Sequence, residues 1–209
     1  MNAHLLPWLF RDEIFRVETP RLWLRWPRPD DADALQAVVA HKEIATMTAS
    51  WLHPLPAGEA ARRIEDFRRA NAAGAGLALA VTRKVNPARL IGIVGASVRA
   101  DGSCGLGYFL ETGNQGHGLM TEAVRALVFT LFAHSPCGVV RASTRIINPA
   151  SRRVLEKVGF ASTGCERLET EARGSFEVET FALARDDWQR ALVIARGCGS
   201  YRRQEVQVA

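Results

Sequence analysis

The apolar positions change their period several times along the chain, and each change predicts an element. Arg21-Leu22-Trp23-Leu24-Arg25-Trp26 alternates polar and apolar side chains, the period-two mark of a half-buried strand. Pro29-Asp30-Asp31 is a helix-start signal, after which Leu35, Val38 and Val39 recur at helical spacing. Trp51-Leu52-His53-Pro54-Leu55-Pro56 reads as a loop. A second helix is predicted over residues 57–71, with Ile64 and Phe67 on its inner face. The period then returns to two. Strands are predicted over 77–82, 90–98 and 106–110, with turns at Asn86-Pro87 and Asp101-Gly102, which together make an antiparallel meander. Past Gly118, the residues Met120, Ala123, Val124, Leu127, Val128, Leu131 and Phe132 form one helical stripe, stopped by Pro136 and Gly138. A strand over 139–146 leads to a short helix over 149–158. Asn148 suits its N-cap, Pro149 its first position and Gly159 its left-handed exit. A last strand is predicted over 176–183, and Asp186-Asp187-Trp188 opens a final turn of helix.

Residues 1–16 read as an N-terminal extension, one or two helical turns packed by Trp8, Phe10 and Phe15. Residues 193–209 read as a mobile tail. A single α/β (α+β) domain over 17–192 lies between them, with a mostly antiparallel mixed sheet flanked by helices. The chain has 209 residues, 47% hydrophobic and 23% charged, which suits a globular protein with a full core. Its 27 basic and 22 acidic residues leave a net charge of +5. The arginines are scattered among Asp and Glu and form no basic stripe, so no nucleic-acid partner is expected. The apolar run Leu5-Leu6-Pro7-Trp8-Leu9-Phe10 is short and runs into Arg11-Asp12-Glu13, a poor signal peptide. No apolar run approaches the ~20 residues that span a bilayer. A cytoplasmic protein without a membrane partner is expected. Cys104, Cys137, Cys165 and Cys198 are far apart, with no C-x-x-C pair and no ligand-spaced His, so reduced thiols and no metal are expected.

The most informative stretch is Gly107-Tyr108-Phe109-Leu110-Glu111-Thr112-Gly113-Asn114-Gln115-Gly116-His117-Gly118-Leu119-Met120-Thr121-Glu122-Ala123. A strand enters a glycine-broken loop that opens directly into the long helix. Glycines there let backbone N–H groups converge, and the helix adds its unpaired first-turn donors and positive dipole end. That is an anion site suited to a pyrophosphate. Leu119-Met120 stands where a P-loop needs Lys-Ser/Thr, and Gly116-His117-Gly118-Leu119-Met120-Thr121 lacks the third glycine of a dinucleotide fingerprint. A tight strand-to-helix turn with no ligand is the bland alternative for the loop alone.

Gln115-Gly116-His117-Gly118-Leu119-Met120 resembles the acyl-CoA motif of the GNAT superfamily, R/Q-x-x-G-x-G/A. Thr121-Glu122-Ala123 resembles the T-E-A that follows it in the RimJ/RimL-like ribosomal-protein acetyltransferases. Glu18-Thr19-Pro20-Arg21-Leu22-Trp23-Leu24-Arg25, the run from Asn148-Pro149-Ala150-Ser151 to Gly159-Phe160, and Phe181-Ala182-Leu183 before Trp188 resemble that subgroup in the same order. The resemblance covers residues 17–190 and implies a GNAT-like domain with a splayed strand pair at an acyl-CoA site. It implies acetyl-CoA as co-substrate, with the strand at Tyr108, Phe109 and Leu110 pairing with pantetheine. It further implies pyrophosphate on Gln115, Gly116, His117, Gly118, Leu119, Met120 and Thr121, and Asn148 and Ser151 beside the sulfur. Met120 stands where Gly or Ala is usual and His117 where Lys or Arg is commoner, so looser CoA binding is expected. Glu122 suits the dipole of the first helical turn.

In this family an amine attacks the thioester directly. A backbone N–H near Leu110 is the expected oxyanion donor. Leu155 stands where many relatives carry an acidic Tyr, leaving Ser151 as the hydroxyl expected to donate to the departing thiolate, unless it only satisfies the helix N-terminus. Glu166, Glu169, Glu171, Glu177 and Glu179 remain open as general base. An α-amine of pKa ~8 is neutral far more often at pH 7 than a lysine at ~10.4, which favours a protein N-terminus as acceptor. An aminoglycoside, polyamine or amino acid acceptor, or a silent acyl-CoA module, stays open. So does a homodimer. Trp51 and His53 are the expected acceptor-pocket wall.

Overall fold

The computed structural model describes residues 6–48, 51–170 and 174–197, so Glu171 and Cys198 lie outside the described residues. The elements run β1 (Arg16–Glu18), β2 (Leu22–Arg25), α1 (Ala32–Val39), α2 (Lys42–Met47), α3 (Glu59–Ala73), β3 (Gly76–Arg83), β4 (Asn86–Val98) and β5 (Cys104–Leu110). They continue with α4 (Leu119–His134), β6 (Val139–Arg145), α5 (Pro149–Val158), β7 (Ala161–Thr170), β8 (Gly174–Ala184) and α6 (Arg185–Gly197). The strands form one eight-stranded sheet in the order β1-β2-β3-β4-β5-β6-β8-β7. Every adjacent pair is antiparallel except β5 and β6, which are parallel. The expected α/β mixed sheet is therefore present.

Each face of the sheet carries its own core. On one face α4 and α5 cover Leu79, Val81, Val94, Leu106, Leu110, Val140 and Phe181, with Leu127, Leu131 and Leu155 buried against them. The α4 stripe is buried at every position the periodicity assigned, at about 1.5–3 kcal/mol for each large side chain. On the other face α1, α2 and α3 cover Ala80, Leu90 and Ile93 through Leu35, Val38, Ile44 and Ile64, with Phe109 packed alongside.

Several elements differ from the sequence reading. The β3–β4 turn is Lys84-Val85, with Asn86-Pro87 already in β4; Pro87 sits where the β3–β4 register shifts, a position that needs no ladder N–H. Phe10 and Phe15 are buried in the first core, but Trp8 is 80% exposed under the Arg11 guanidinium. β1, α2 and β7 are additional. α6 continues through Gly197, so residues 193–197 are helical, while 198–209 lie outside the described residues.

Candidate active site

The one parallel strand pair is short. β5 and β6 pair only at Cys104–Leu106 with Val140–Ala142, and beyond Leu106 the two strands separate. A cavity of about 1020 Å³ occupies that gap and reaches residues of both cores, Tyr108 and Leu110 on one face, Ile93 and Phe109 on the other. Glu111 N donates to Ile91 O at 2.8 Å, which fixes the alternation along β5. Phe109 and Gly107 direct their amides toward β4, leaving the N–H groups of Tyr108 and Leu110 facing the gap. The Leu110 carbonyl is occupied by Gln115 Nε2 at 2.8 Å, so Gln115 braces the loop across its own entry.

The loop after β5 forms a cradle of backbone donors. Asn114 N and Gln115 N bond back to Glu111 O and Thr112 O, and helical bonding resumes with Glu122 N to Gly118 O. Between those points, His117 N closes a turn over Gln115-Gly116, while the amides of Gly116, Gly118, Leu119, Met120 and Thr121 have no partner among the described residues. Gly116 (φ 80°) and Gly118 (φ 75°) adopt the left-handed conformation that turns the chain this way, at little cost only for glycine. The cap position Gly118 has no side chain to occupy the first-turn donors. These donors therefore point at the cavity rim without an internal acceptor, the arrangement that binds phosphate oxygens.

Arg21, at the entry of β2, bonds to the loop at position 117. Its Nη1 donates to His117 O at 2.9 Å and its Nε to Glu122 Oε2 at 2.6 Å. Glu122 Oε1 also accepts from Thr19 Oγ1 at 2.6 Å and Arg21 N at 2.9 Å. The carboxylate expected only to face a helix dipole thus ties the strand-entry motif to the loop, and brings a guanidinium beside the cradle. The His117 side chain does not line the cavity; Gln115, Gly116, Gly118, Leu119, Met120 and Thr121 do. Met120 turns inward to the first core, 6% exposed, so its bulk does not obstruct the cradle.

Asn148 Oδ1 accepts from Ser151 N at 3.0 Å, capping α5 as the sequence predicts. Ser151 lies across the gap from β5, and Tyr108 Oη stands 2.9 Å from Ser151 Oγ and donates to Ser151 O at 3.1 Å. Burial pushes the Tyr108 phenol up to about 12, with the Ser151 hydrogen bond opposing. Sequence reasoning assigned Tyr108 only a backbone role and missed this contact. A phenol on the strand facing the capped helix start is the signal that could have found it.

On the other face, Trp51 lines the cavity and packs edge-on against Phe109, ring centroids 5.5 Å apart, with Arg63 at 5.1 Å from its ring. His53 does not line the cavity: it lies exposed in the bend after Trp51, between Trp51 and Leu55, which the second core anchors. Glu166, Glu169 and Glu177 are exposed on the β7–β8 ribbon. Glu179 is held by Arg152 at 3.2 Å and by Ser162 Oγ at 2.8 Å. None of these four lines the cavity, and Glu43 on α2 is the carboxylate among the described residues that does. Among the described residues no cluster of His, Cys, Asp or Glu could hold a metal, and no helix is long and apolar enough to cross a membrane.

Known proteins share this fold. RimJ of Mycobacterium smegmatis in complex with CoA-disulfide superposes with a TM-score of 0.71 at 18% identity, over 87% of this chain and 93% of that one. The ribosomal-protein-S5-alanine acetyltransferase of Vibrio fischeri gives 0.70 at 20%, over 83% and 98%. At such identities these likenesses show the fold. A protein described as a probable N-acetyltransferase, YjcK of Bacillus subtilis (strain 168), is 39% identical over 72 residues, which are 34% of this chain and 40% of that protein's length. The profile of the Acetyltransferase (GNAT) domain matches residues 21–161, and the chain belongs to that family.

Proposed function

We propose that the protein transfers acetyl from acetyl-CoA to an α-amine, with a protein N-terminus as the favoured acceptor. The observation that carries this reading is the set of unpartnered amides of Gly116 and of Gly118 to Thr121 at one end of a cavity that crosses the parted strands β5 and β6. The diphosphate would bind those amides and Arg21. The pantetheine amides would then pair with the free edge of β5, as an added strand does. That run would end with the thioester between Leu110 N–H and Ser151.

The chemistry needs few groups. The neutral amine attacks the thioester carbon from the Trp51 and Phe109 side. The oxygen gains charge that Leu110 N–H stabilises. The tetrahedral centre then collapses with loss of the C–S bond, and the amine's surplus proton leaves to solvent. Ser151 Oγ–H donates to the departing thiolate, and the Tyr108 hydroxyl, kept neutral by burial, turns its one proton from Ser151 O to Ser151 Oγ behind it. The described carboxylates offer the cavity only Glu43, which favours an amine that is often neutral at pH 7 over a lysine side chain.

Calorimetry with acetyl-CoA, followed by thiol release on a panel of N-terminal peptides, lysine peptides and small amines, tests the reading. Heat on titration and release with an α-amine are expected. Absence of heat overturns it, and binding without release on any acceptor makes the chain an acyl-CoA-binding module.

A further inference from the structure

Two adjacent residues of β6 each leave a buried polar atom without a hydrogen-bond partner, Thr144 Oγ1 and Arg145 Nε. Both residues line the cavity, and both follow Ala142, the last β6 residue paired with β5. Alternation sends them to opposite faces. Thr144 follows Val140 and Ala142 toward the first core, and Arg145 turns toward α2 and β8. Arg145 Nη1 donates to the Thr46 carbonyl of α2, and the guanidinium lies 5.1 Å from the Phe176 ring centroid. No carboxylate of a described residue pairs with it, although Arg63 on the same face is bonded to Glu59 at 2.9 Å.

A planar cation held by a carbonyl and a ring, with donors left over and no counter-ion, is costly unless a ligand supplies the missing acceptor. The coenzyme's phosphates cannot supply it, because their cradle lies at the Gly116–Thr121 end of the cavity. The acceptor can. We infer that Arg145 receives an anionic oxygen group, a carboxylate in chemistry, carried by the acceptor near the amine that is acetylated. This inference rests on the acetyl-transfer reading of the cavity. A free α-carboxylate of a small amino compound and an acidic side chain close to a peptide N-terminus present the same group. Polycationic acceptors do not, and the lining holds Arg63, Arg145, Arg153 and Lys157 against Glu43 alone. A guanidinium also matches a carboxylate in a way an ammonium does not.

The experiment measures kcat/KM by thiol release from acetyl-CoA on matched pairs. One arm compares amino acids with their amides, and the other compares N-terminal peptides carrying Asp or Glu with the same peptides carrying Asn or Gln. Wild-type protein is expected to prefer the anionic member of one arm on the order of ten- to a hundredfold, and the responding arm identifies the source. Arg145→Met is expected to abolish that preference while its acetyl-CoA Kd stays unchanged, and Arg145→Lys to restore part of it. Equal turnover of both members in wild-type protein overturns the inference without any variant. Preference that survives in Arg145→Met also overturns it. No turnover on any acceptor overturns the transfer reading beneath it, and this inference with it.

Discussion

The guanidinium of Arg21 and the carboxylate of Glu122 meet at 2.6 Å, joining the entry of β2 to the first turn of α4. Because Arg21 also holds His117 O, the contact fixes the loop whose amides face the cavity. Glu122 is nearly buried and accepts from Thr19 Oγ1, Arg21 N and Arg21 Nε, so its loss leaves donors without an acceptor. Glu122→Ala is expected to destabilise the fold by about 2–4 kcal/mol in denaturant titration. Arg21→Met, at a half-exposed position, should cost less stability but weaken acetyl-CoA binding several-fold by calorimetry. A variant Kd equal to wild type would remove Arg21 from the coenzyme site.

Gly118 sets the approach to the same loop at φ 75°, where a Cβ would meet only Arg21 Nη2 at 3.7 Å, an ordinary contact. The penalty for Gly118→Ala is therefore backbone strain, about 1–2 kcal/mol. That strain falls on the amides proposed to hold the coenzyme's diphosphate. Acetyl-CoA affinity should drop along with Tm; a fall in Tm with affinity intact would show that the turn is structural only.

Ser151→Ala removes the hydroxyl beside the gap but keeps the Asn148 cap on its backbone N–H. Turnover should fall on the order of ten- to a hundredfold with acetyl-CoA Kd nearly unchanged. Tyr108→Phe should give a smaller loss of kcat in the same sense, because it acts on Ser151 from behind. Unchanged kcat in Ser151→Ala would assign the residue to the helix start alone.

The frame of this fold is legible in the sequence where the chain obeys one period. The α4 stripe, the β3–β5 meander and the Asn148-Pro149…Gly159 helix follow from apolar spacing and cap chemistry acting within a few residues. β7 escapes that reading because Ala161–Thr170 is exposed along nearly its whole length on a projecting ribbon, so nothing imposes alternation on it. α2 is short and its cap residue makes no side-chain bond, so no start signal marks it. The loop declares itself through Gly116 and Gly118. Its brace does not, since Arg21 and Glu122 are 101 residues apart, and neither does Arg145, whose meaning depends on β6 leaving β5 three residues earlier.

Tyr108 gives the mechanism a spectroscopic handle. Burial raises its folded-state pKa to about 12, above the ordinary ~10, so the folded protein holds this proton more tightly than the unfolded chain. The stabilisation is therefore fully present below pH ~10 and is lost as pH rises through the interval up to about 12. Phenolate absorbance should show a late-titrating tyrosine that disappears in Tyr108→Phe. The alkaline limb of kcat should meanwhile keep its position in that variant, since the phenol is neutral throughout the working range. A Tyr108 that ionises near 10 would mean water reaches the phenol, and the backing of Ser151 by a neutral hydroxyl would have to be abandoned.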